Sequence, residues 1–364
     1  MPNDEPQLLC SGCNHPAGSL EWQCGQCGGP IEIANLPPFN AAAIKDEWSL
    51  WRYEAMLPVS RRFSLGGGLT PLIEAAIPGA SFLAKLDYLN PTGSYKDRGT
   101  ETLISHLLAH GVTEVVEDSS GNAGSSLAAY AGGAGIHARI FAPTSAPAGK
   151  KRQIAMSAEL VEVPGPRYAV TDACVEAAFD SVYASHAWSP FFIAGQMTCA
   201  WEIWEQMGRN IPDAIACPVG HGGLFLGLVR GFDGLQRAGL IDRIPRLYAI
   251  QSTACDPIVT AWENNSDTPT IENPDDTVAD GIVVKVPVRG KAVMQAMSDS
   301  GGAAFRVTDE AILEARDTLA ARGLFVEPTS AVPIAAFDRI REHAGHDATL
   351  LIPLTGNGLK SVKS

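Results

Sequence analysis

No uninterrupted hydrophobic run in this chain reaches the roughly 18–20 residues that a membrane-spanning helix needs. Basic residues are scarce as well. With 27 Lys and Arg against 40 Asp and Glu the formal net charge is −13, which argues against nucleic acid and against anionic membranes as partners. The opening Met1-Pro2-Asn3-Asp4-Glu5 has neither the basic start nor the apolar core of a secretory signal, so a cytoplasmic location is expected. Internal repeats and long low-complexity tracts are absent. The nearest approach is the polar stretch 263–276, which reads as an exposed loop. What the sequence has in quantity is apolar side chain. At 364 residues and 46% hydrophobic it can bury a large core, and a division into two or more lobes is expected.

Four of the eight cysteines fall within the first 27 residues. Cys10-x-x-Cys13 and Cys24-x-x-Cys27 lie ten residues apart, each pair followed by turn-forming residues (Asn14; Gly28-Gly29). Knuckles of this kind converge two thiolates on one metal ion, and four complete a tetrahedron around Zn2+. No position is left for water, so such a zinc ribbon is structural. Two disulfides are the alternative, disfavoured in a reducing compartment. His15 reads as a bystander. Cys174, Cys199, Cys217 and Cys255 are scattered singly in apolar settings and read as core. Leu36-Pro37-Pro38 forms a linker out of the ribbon.

An apolar run, Ser81 to Leu86, reads as a strand leading into the turn Asn90-Pro91-Thr92-Gly93. Lys96 follows, and then a helical segment from Thr100 to His110. A lysine at that point feels the positive end of the helix dipole and the charge of Arg98. Both favour the neutral amine, the form that attacks an aldehyde. Glu114 to Glu117 reads as a strand that ends in Asp118-Ser119-Ser120-Gly121-Asn122-Ala123-Gly124, before a helix of small residues over 125–135. Free N–H groups at such a helix start suit an anion. His137 to Ala142 and Glu159 to Val163 read as further strands, with a helix over 170–185 after them. The alternation implies a parallel sheet with right-handed crossovers. Asp213 to Val219 is another strand and opens into Gly220-His221-Gly222-Gly223-Leu224. A glycine-rich turn before a helix is compatible with a dinucleotide, a phosphate or close packing, although the spacing is wrong for a Rossmann fingerprint. The tail adds Glu327-Pro328-Thr329-Ser330-Ala331, a strand over 348–354, and Thr355-Gly356-Asn357-Gly358-Leu359-Lys360.

Taken in order, these blocks resemble the threonine synthase branch of the second fold type of pyridoxal 5'-phosphate (PLP) enzymes. Asn90-Pro91-Thr92-Gly93-Ser94-Tyr95-Lys96-Asp97-Arg98-Gly99 is similar to the family's Schiff-base lysine segment. Trp51-Arg52-Tyr53 and Gly66-Gly67-Gly68-Leu69-Thr70-Pro71-Leu72 resemble its Trp-Arg-Tyr and Gly-Glu-Gly-x-Thr-Pro-Leu, with Gly67 in place of Glu. The resemblance implies Lys96 as the catalytic and cofactor-linking residue, and Asn122 on the PLP ring hydroxyl. It places the backbone of Gly220, His221, Gly222, Gly223 and Leu224 on the PLP phosphate, and the Thr355 hydroxyl on the ring nitrogen. Ser119, Ser120 and Ala123 take the places that grip the amino-acid carboxylate. A neutral hydroxyl does not hold the ring nitrogen protonated, which tempers the electron sink and favours elimination or replacement over transamination.

Departures cluster at the substrate end. Where the family has Asn-Pro-x-Arg-x-x-Gly-Gln-Lys-Thr, this chain reads Ser189-Pro190-Phe191-Phe192-Ile193-Ala194-Gly195-Gln196-Met197-Thr198. Phe192 replaces the arginine and Met197 the lysine, His221 stands for the usual Asn, and Ala123 for a hydroxyl. A dianion facing Phe192 and Met197 would lose a charge-assisted fork and be left desolvated. Arg167 is the cation expected to compensate at the substrate. The fold implied is α/β, two PLP-gripping lobes with parallel twisted sheets after the ribbon. Residues 1–35 form the ribbon, 36–95 with 200–364 the large lobe, and 96–199 a small mobile lobe that closes over the substrate. The activity implied is β/γ-elimination or replacement on a small amino acid, in a homodimer, with a substrate-phosphate pocket altered from that of threonine synthase. Threonine synthase acting on O-phosphohomoserine, and a catalytically idle protein whose ribbon docks a partner, are the alternatives.

Overall fold

The computed structural model of the chain describes residues 5–146, 148–165 and 167–361. Its strands are β1 (Leu8–Cys10), β2 (Ile31–Ile33), β3 (Leu72–Ile77), β4 (Ala80–Lys85), β5 (Glu114–Glu117), β6 (His137–Pro143), β7 (Glu159–Val163), β8 (Val182–Tyr183), β9 (Ala214–Pro218), β10 (Arg246–Ser252), β11 (Ala303–Val307) and β12 (Leu350–Pro353). The helices are α1 (Lys96–Ala109), α2 (Asn122–Gly133), α3 (Ala148–Ala155), α4 (Arg167–Ala177), α5 (Pro190–Gln206), α6 (Gly223–Arg237), α7 (Pro257–Glu263), α8 (Gly290–Ser300), α9 (Asp309–Ala320), α10 (Pro328–Ala335) and α11 (Phe337–Ala344). Among the described residues no helix is long and apolar enough to cross a membrane. The helix expected over 170–185 stops at Ala177. A turn intervenes, and Val182-Tyr183, both strong strand formers, pair with β5 instead.

The described residues form two compact units, the first holding 5–68 with Lys96–Thr198, the second Leu69–Tyr95 with 199–361. In the first unit β7-β6-β5-β8 make an all-parallel sheet. Its core gathers Leu103, Ile104 and Leu107 of α1 with Leu127, Tyr130 and Ala131 of α2 and Val115, Ala138 and Ile140 of the sheet. Glu101 lies within it. The carboxylate accepts the indole N–H of Trp51 at 2.7 Å, the Gly67 N–H at 3.0 Å, the Tyr130 hydroxyl at 2.9 Å and the Ser64 hydroxyl. The Trp-Arg-Tyr segment and the glycine triplet are thereby tied to α1. Burial pushes the Glu101 carboxyl up to about 7 against the pull of those four donors.

The second unit is built on the sheet β11-β10-β9-β12-β4-β3, parallel throughout except for the β3–β4 hairpin. Its middle strands read Ala-Ile-Ala-Cys-Pro and Leu-Leu-Ile-Pro, near-continuous apolar runs of the kind a sheet covered on both faces requires. A buried ion pair crosses this unit. Lys85 Nζ lies 2.8 Å from Glu202 Oε2, both side chains fully buried, and also donates to the Thr70 carbonyl at 2.6 Å and Gln206 Oε1 at 2.8 Å. Glu202 Oε1 accepts the Leu69 N–H at 2.8 Å, and Thr70 Oγ1 donates to Asp87 Oδ1 at 2.6 Å. The Leu69-Thr70-Pro71 stretch is thus a structural fastening.

Candidate active site

Three neighbouring parallel strands of the second unit, β9, β12 and β4, deliver their C-terminal ends side by side, the edge where open α/β sheets bind ligands. After β9 the chain runs through Gly220 and His221 to Gly222, which caps α6 with φ +84° and no side-chain hydrogen bond to the helix. Only glycine takes that left-handed conformation freely. The first bond of the helix runs from the Leu226 N–H to the Gly222 carbonyl at 2.9 Å. The amides of residues 223–225 therefore stand at a helix start with no side-chain cap, as a phosphate requires.

After β12, Thr355 is buried, with its hydroxyl 3.0 Å from Ser330 Oγ. Ser330 also accepts the Gly356 N–H at 2.7 Å, and Glu327 N–H donates to the Gly356 carbonyl at 3.0 Å. The Glu-Pro-Thr-Ser-Ala block thus serves as the support of Thr355. After β4, residues 92–95 are laced to the same tail. Tyr95 N–H donates to the Thr355 carbonyl at 3.0 Å, Ser94 bridges Gly356, Asn357 N–H donates to the Gly93 carbonyl at 3.0 Å, and Lys360 Nζ reaches the Thr92 carbonyl at 2.9 Å. Two stretches 268 residues apart in sequence are one fastened junction, and the next peptide along is that of Lys96.

In the first unit Lys96 begins α1, half-buried, with Nζ 5.7 Å from the centroid of the Phe192 ring. Asp97 beside it accepts the Ser126 hydroxyl at 2.6 Å, which sets the start of α1 against the first turn of α2. Arg98 turns inward, fully buried, and donates to Thr198 Oγ1 at 3.2 Å. Asn122 opens α2 behind Gly121, again without a capping side chain. Gly124 lets the loop fold back, since a Cβ there would lie 1.7 Å from the Ser119 carbonyl oxygen. Ser119 and Ser120 are half-buried, and Ala123 is buried. Phe192 and Met197 are both buried, the Phe192 ring meeting His186 edge-on at 5.8 Å. Nδ1 of His186 lies 2.8 Å from Glu117 Oε1.

The ribbon belongs to the first unit. Sγ atoms of Cys10, Cys13, Cys24 and Cys27 all lie within 4.8 Å of one another, a group that could hold a metal ion. The Cys10–Cys27 and Cys13–Cys24 separations, 3.4 and 3.6 Å, are close to the roughly 3.8 Å edge of a zinc–thiolate tetrahedron with 2.3 Å bonds. The Gly12 and Gln26 amides donate to Cys10 and Cys24 at 3.3 and 3.4 Å, as metal-binding knuckles do. Burial pushes the Cys10 thiol up, and donors from Gly12, Cys13 and Cys27 outweigh it, so its pKa is lowered, whereas those of Cys13 and Cys27 are raised.

Residues 63–356 match the profile of the pyridoxal-phosphate dependent enzymes. Threonine synthase of Methanocaldococcus jannaschii is 34% identical, over 96% of this chain and 91% of that one. Threonine synthase of Mycobacterium tuberculosis is 33% identical over 85% and 87%. This chain belongs to the pyridoxal-phosphate dependent enzymes. Among solved structures, a threonine deaminase from T.th. superposes with a TM-score of 0.68 at 28% identity, over 79% of this chain and 92% of that one. Maize serine racemase, at 23% identity and a TM-score of 0.69, shares the fold over 79% of this chain and 88% of that one.

PLP is the cofactor of this family, and the residues present fit it. Within the second unit, the uncapped helix start behind Gly222 suits the cofactor's phosphate and the neutral buried hydroxyl of Thr355 suits its ring nitrogen. Ser94 Oγ, two residues before Lys96, is buried with no hydrogen-bond partner among the described residues, as is Ser125 Oγ in α2. Of the residues singled out from sequence, Lys96, Ser119, Ser120, Asn122 and Ala123 fall in the first unit, and Gly220 to Leu224 and Thr355 in the second. Arg167 opens α4, but its side chain lies outside the described residues. Ser330 and Ser94 carry no mark of a role in the sequence, although both stand in blocks that carry the resemblance. The His186–Glu117 pair has no local signal in the sequence either.

Proposed function

We propose that this chain is a PLP-dependent lyase or replacement enzyme that removes a β or γ substituent from a small amino acid, with a leaving group less anionic than phosphate. The observation that carries this reading is Phe192, a buried ring 5.7 Å from the Lys96 amine at the position where the threonine synthase branch has arginine. Buried Met197 stands for the branch's lysine. Neither offers a donor to a phosphate, whose charge would stay uncompensated there.

When bound, PLP supplies the electron sink that makes the substrate's α-carbon acidic. Lys96 would hold the cofactor, and its Nζ would carry the α-proton as general base. Amides of Gly220 to Leu224 bind the cofactor phosphate, and Asn122 its ring hydroxyl. Thr355 Oγ1, steadied by Ser330, takes the ring nitrogen. Ser119, Ser120 and Ala123 hold the substrate carboxylate, and Arg167 is the cation that compensates for the arginine replaced by Phe192. Cys10, Cys13, Cys24 and Cys27 hold a structural Zn2+. The small lobe moves over the substrate, and two copies of the chain form a homodimer, which sedimentation reads directly.

Threonine synthase activity is the second reading, favoured by the relatives' names. One assay separates the two. The purified enzyme is given O-phosphohomoserine, L-serine and L-threonine, and phosphate and keto-acid release are followed. Keto acid from a hydroxy amino acid without phosphate release from O-phosphohomoserine is expected; rapid phosphate release with threonine formation would overturn the lead reading.

A further inference from the structure

The geometry points to Tyr183 as a positioning residue for the loop 119–123, held for that task by Trp22 of the cysteine ribbon; the inference rests on the proposed carboxylate-binding role of that loop. Asp118 is the residue from which the loop departs. Its side chain is buried and both oxygens are engaged. Oδ1 accepts the Tyr183 hydroxyl at 2.7 Å and Oδ2 the Thr171 hydroxyl at 2.6 Å. A carboxylate gripped at both oxygens fixes its own backbone, and Ser119 is the next residue.

The backbone beneath Tyr183 is a weak anchor. The residue lies on β8, a two-residue edge strand whose pairings are Val115 with Val182 and Val116 with Tyr183. So short a strand cannot fix its side chains by its ladder. Trp22 supplies the restraint. Its indole meets the Tyr183 ring at 5.1 Å and 79° and the Trp188 ring at 5.0 Å and 84°, both in the edge-to-face arrangement that aromatic pairs prefer.

Trp22 sits in the segment between the two cysteine knuckles, and that segment is docked a second time. His106 Nε2–H donates to the Ser19 carbonyl at 2.8 Å, while the His106 ring stacks on Phe191 at 3.5 Å and 14°. Burial holds His106 down to about 4, so it stays neutral and keeps this arrangement across the physiological range. A physical path of direct contacts within one unit runs from the ribbon through Trp22, Tyr183 and Asp118 to Ser119. The ribbon thereby bears on the loop to which the proposed function assigns the amino-acid carboxylate.

Hydrogen–deuterium exchange of the PLP-loaded full chain tests this, read on peptides covering residues 118–124. Tyr183→Phe removes one hydroxyl and keeps every ring contact, and Trp22→Ala removes the clamp. Both are expected to speed exchange in 118–124 by tenfold or more, and to raise the L-serine concentration for half-maximal change of the cofactor absorbance at least fivefold. Trp22→Phe, which keeps an aromatic ring, is expected to stay within twofold of wild type on both readouts. If Trp22→Ala does not fold, Tyr183→Phe carries the test. Exchange in 118–124 unchanged in Tyr183→Phe overturns the proposal, and so does faster exchange with unaltered L-serine response. A wild-type protein with no cofactor band would instead overturn the functional reading, leaving the link from Tyr183 to the loop to be read by exchange alone.

Discussion

Phe192 fills the space beside the Lys96 amine with an aromatic face, whose quadrupole attracts a cation by roughly 0.5–2 kcal/mol. Replacing it by arginine introduces a guanidinium that can grip a phosphoryl group at two oxygens. Phe192→Arg is expected to make O-phosphoserine a competitive inhibitor at a concentration at least about tenfold lower than for the wild type, a gain of about 1.4 kcal/mol. Steady-state inhibition constants check it, and equal constants would show that residue 192 does not face the substrate. Glu101 gives a second prediction at this scale. Its folded carboxyl is raised from 4.5 to about 7 by burial, so the folded state binds its proton more tightly than the unfolded state. The resulting stability is fully present below the unfolded value of 4.5 and is lost as pH rises through 7. Glu101→Gln keeps an uncharged group in place. Relative to wild type it should therefore gain about 2–3 kcal/mol between pH 5 and pH 8, measurable by urea unfolding at the two pH values. Single residues are also where the sequence is most readable. Lys96 and Thr355 stand in long, distinctive local wordings. Ser330 is not legible as a partner of Thr355, because a serine hydroxyl carries no mark of which of many distant hydroxyls it meets.

At the scale of elements, the second unit depends on a fully buried lysine. Lys85 is satisfied by Glu202, Gln206 and the Thr70 carbonyl, and all of these contacts are buried or nearly so. Removing the cation leaves the Glu202 carboxylate buried without its counter-charge. Lys85→Met should cost about 3–5 kcal/mol, seen as a lowered denaturation midpoint, and Lys85→Met combined with Glu202→Leu should recover most of that loss. Individual strands such as β5 and β7 can be read from their β-branched runs to the residue. The pair forming β8 cannot, because two residues carry no period, and the apolar run before them reads as continuing helix. The order β9-β12-β4, which gathers the glycine loop, Thr355 and the turn 90–95 at one edge of the second unit, is not legible. Adjacency of strands more than a hundred residues apart is set by core packing, which no local pattern records.

Across the whole molecule, the ribbon is the part whose chemistry differs from the rest. Its four thiols supply every ligand a zinc ion needs, so metal and ribbon should be lost together. Cys27→Ser, or prolonged treatment with a chelator, is expected to remove one equivalent of metal and to lower the melting temperature of the full chain. Elemental analysis beside calorimetry reads both, and a full metal complement in Cys27→Ser would exclude the four-cysteine site. Spacing alone makes the gathering of the four cysteines legible, since each knuckle is written within four residues. The seating of Trp22 between Tyr183 and Trp188 is hidden, because the three aromatics lie in separate stretches that only the folded unit brings together.

The proposed function depends on a covalent bond from Lys96 to PLP. Borohydride reduction of the purified protein, followed by mass spectrometry of its tryptic peptides, tests that bond directly. A phosphopyridoxyl adduct on Lys96 and on no other lysine is expected. An adduct elsewhere, or an unmodified Lys96 in protein saturated with PLP, would contradict it.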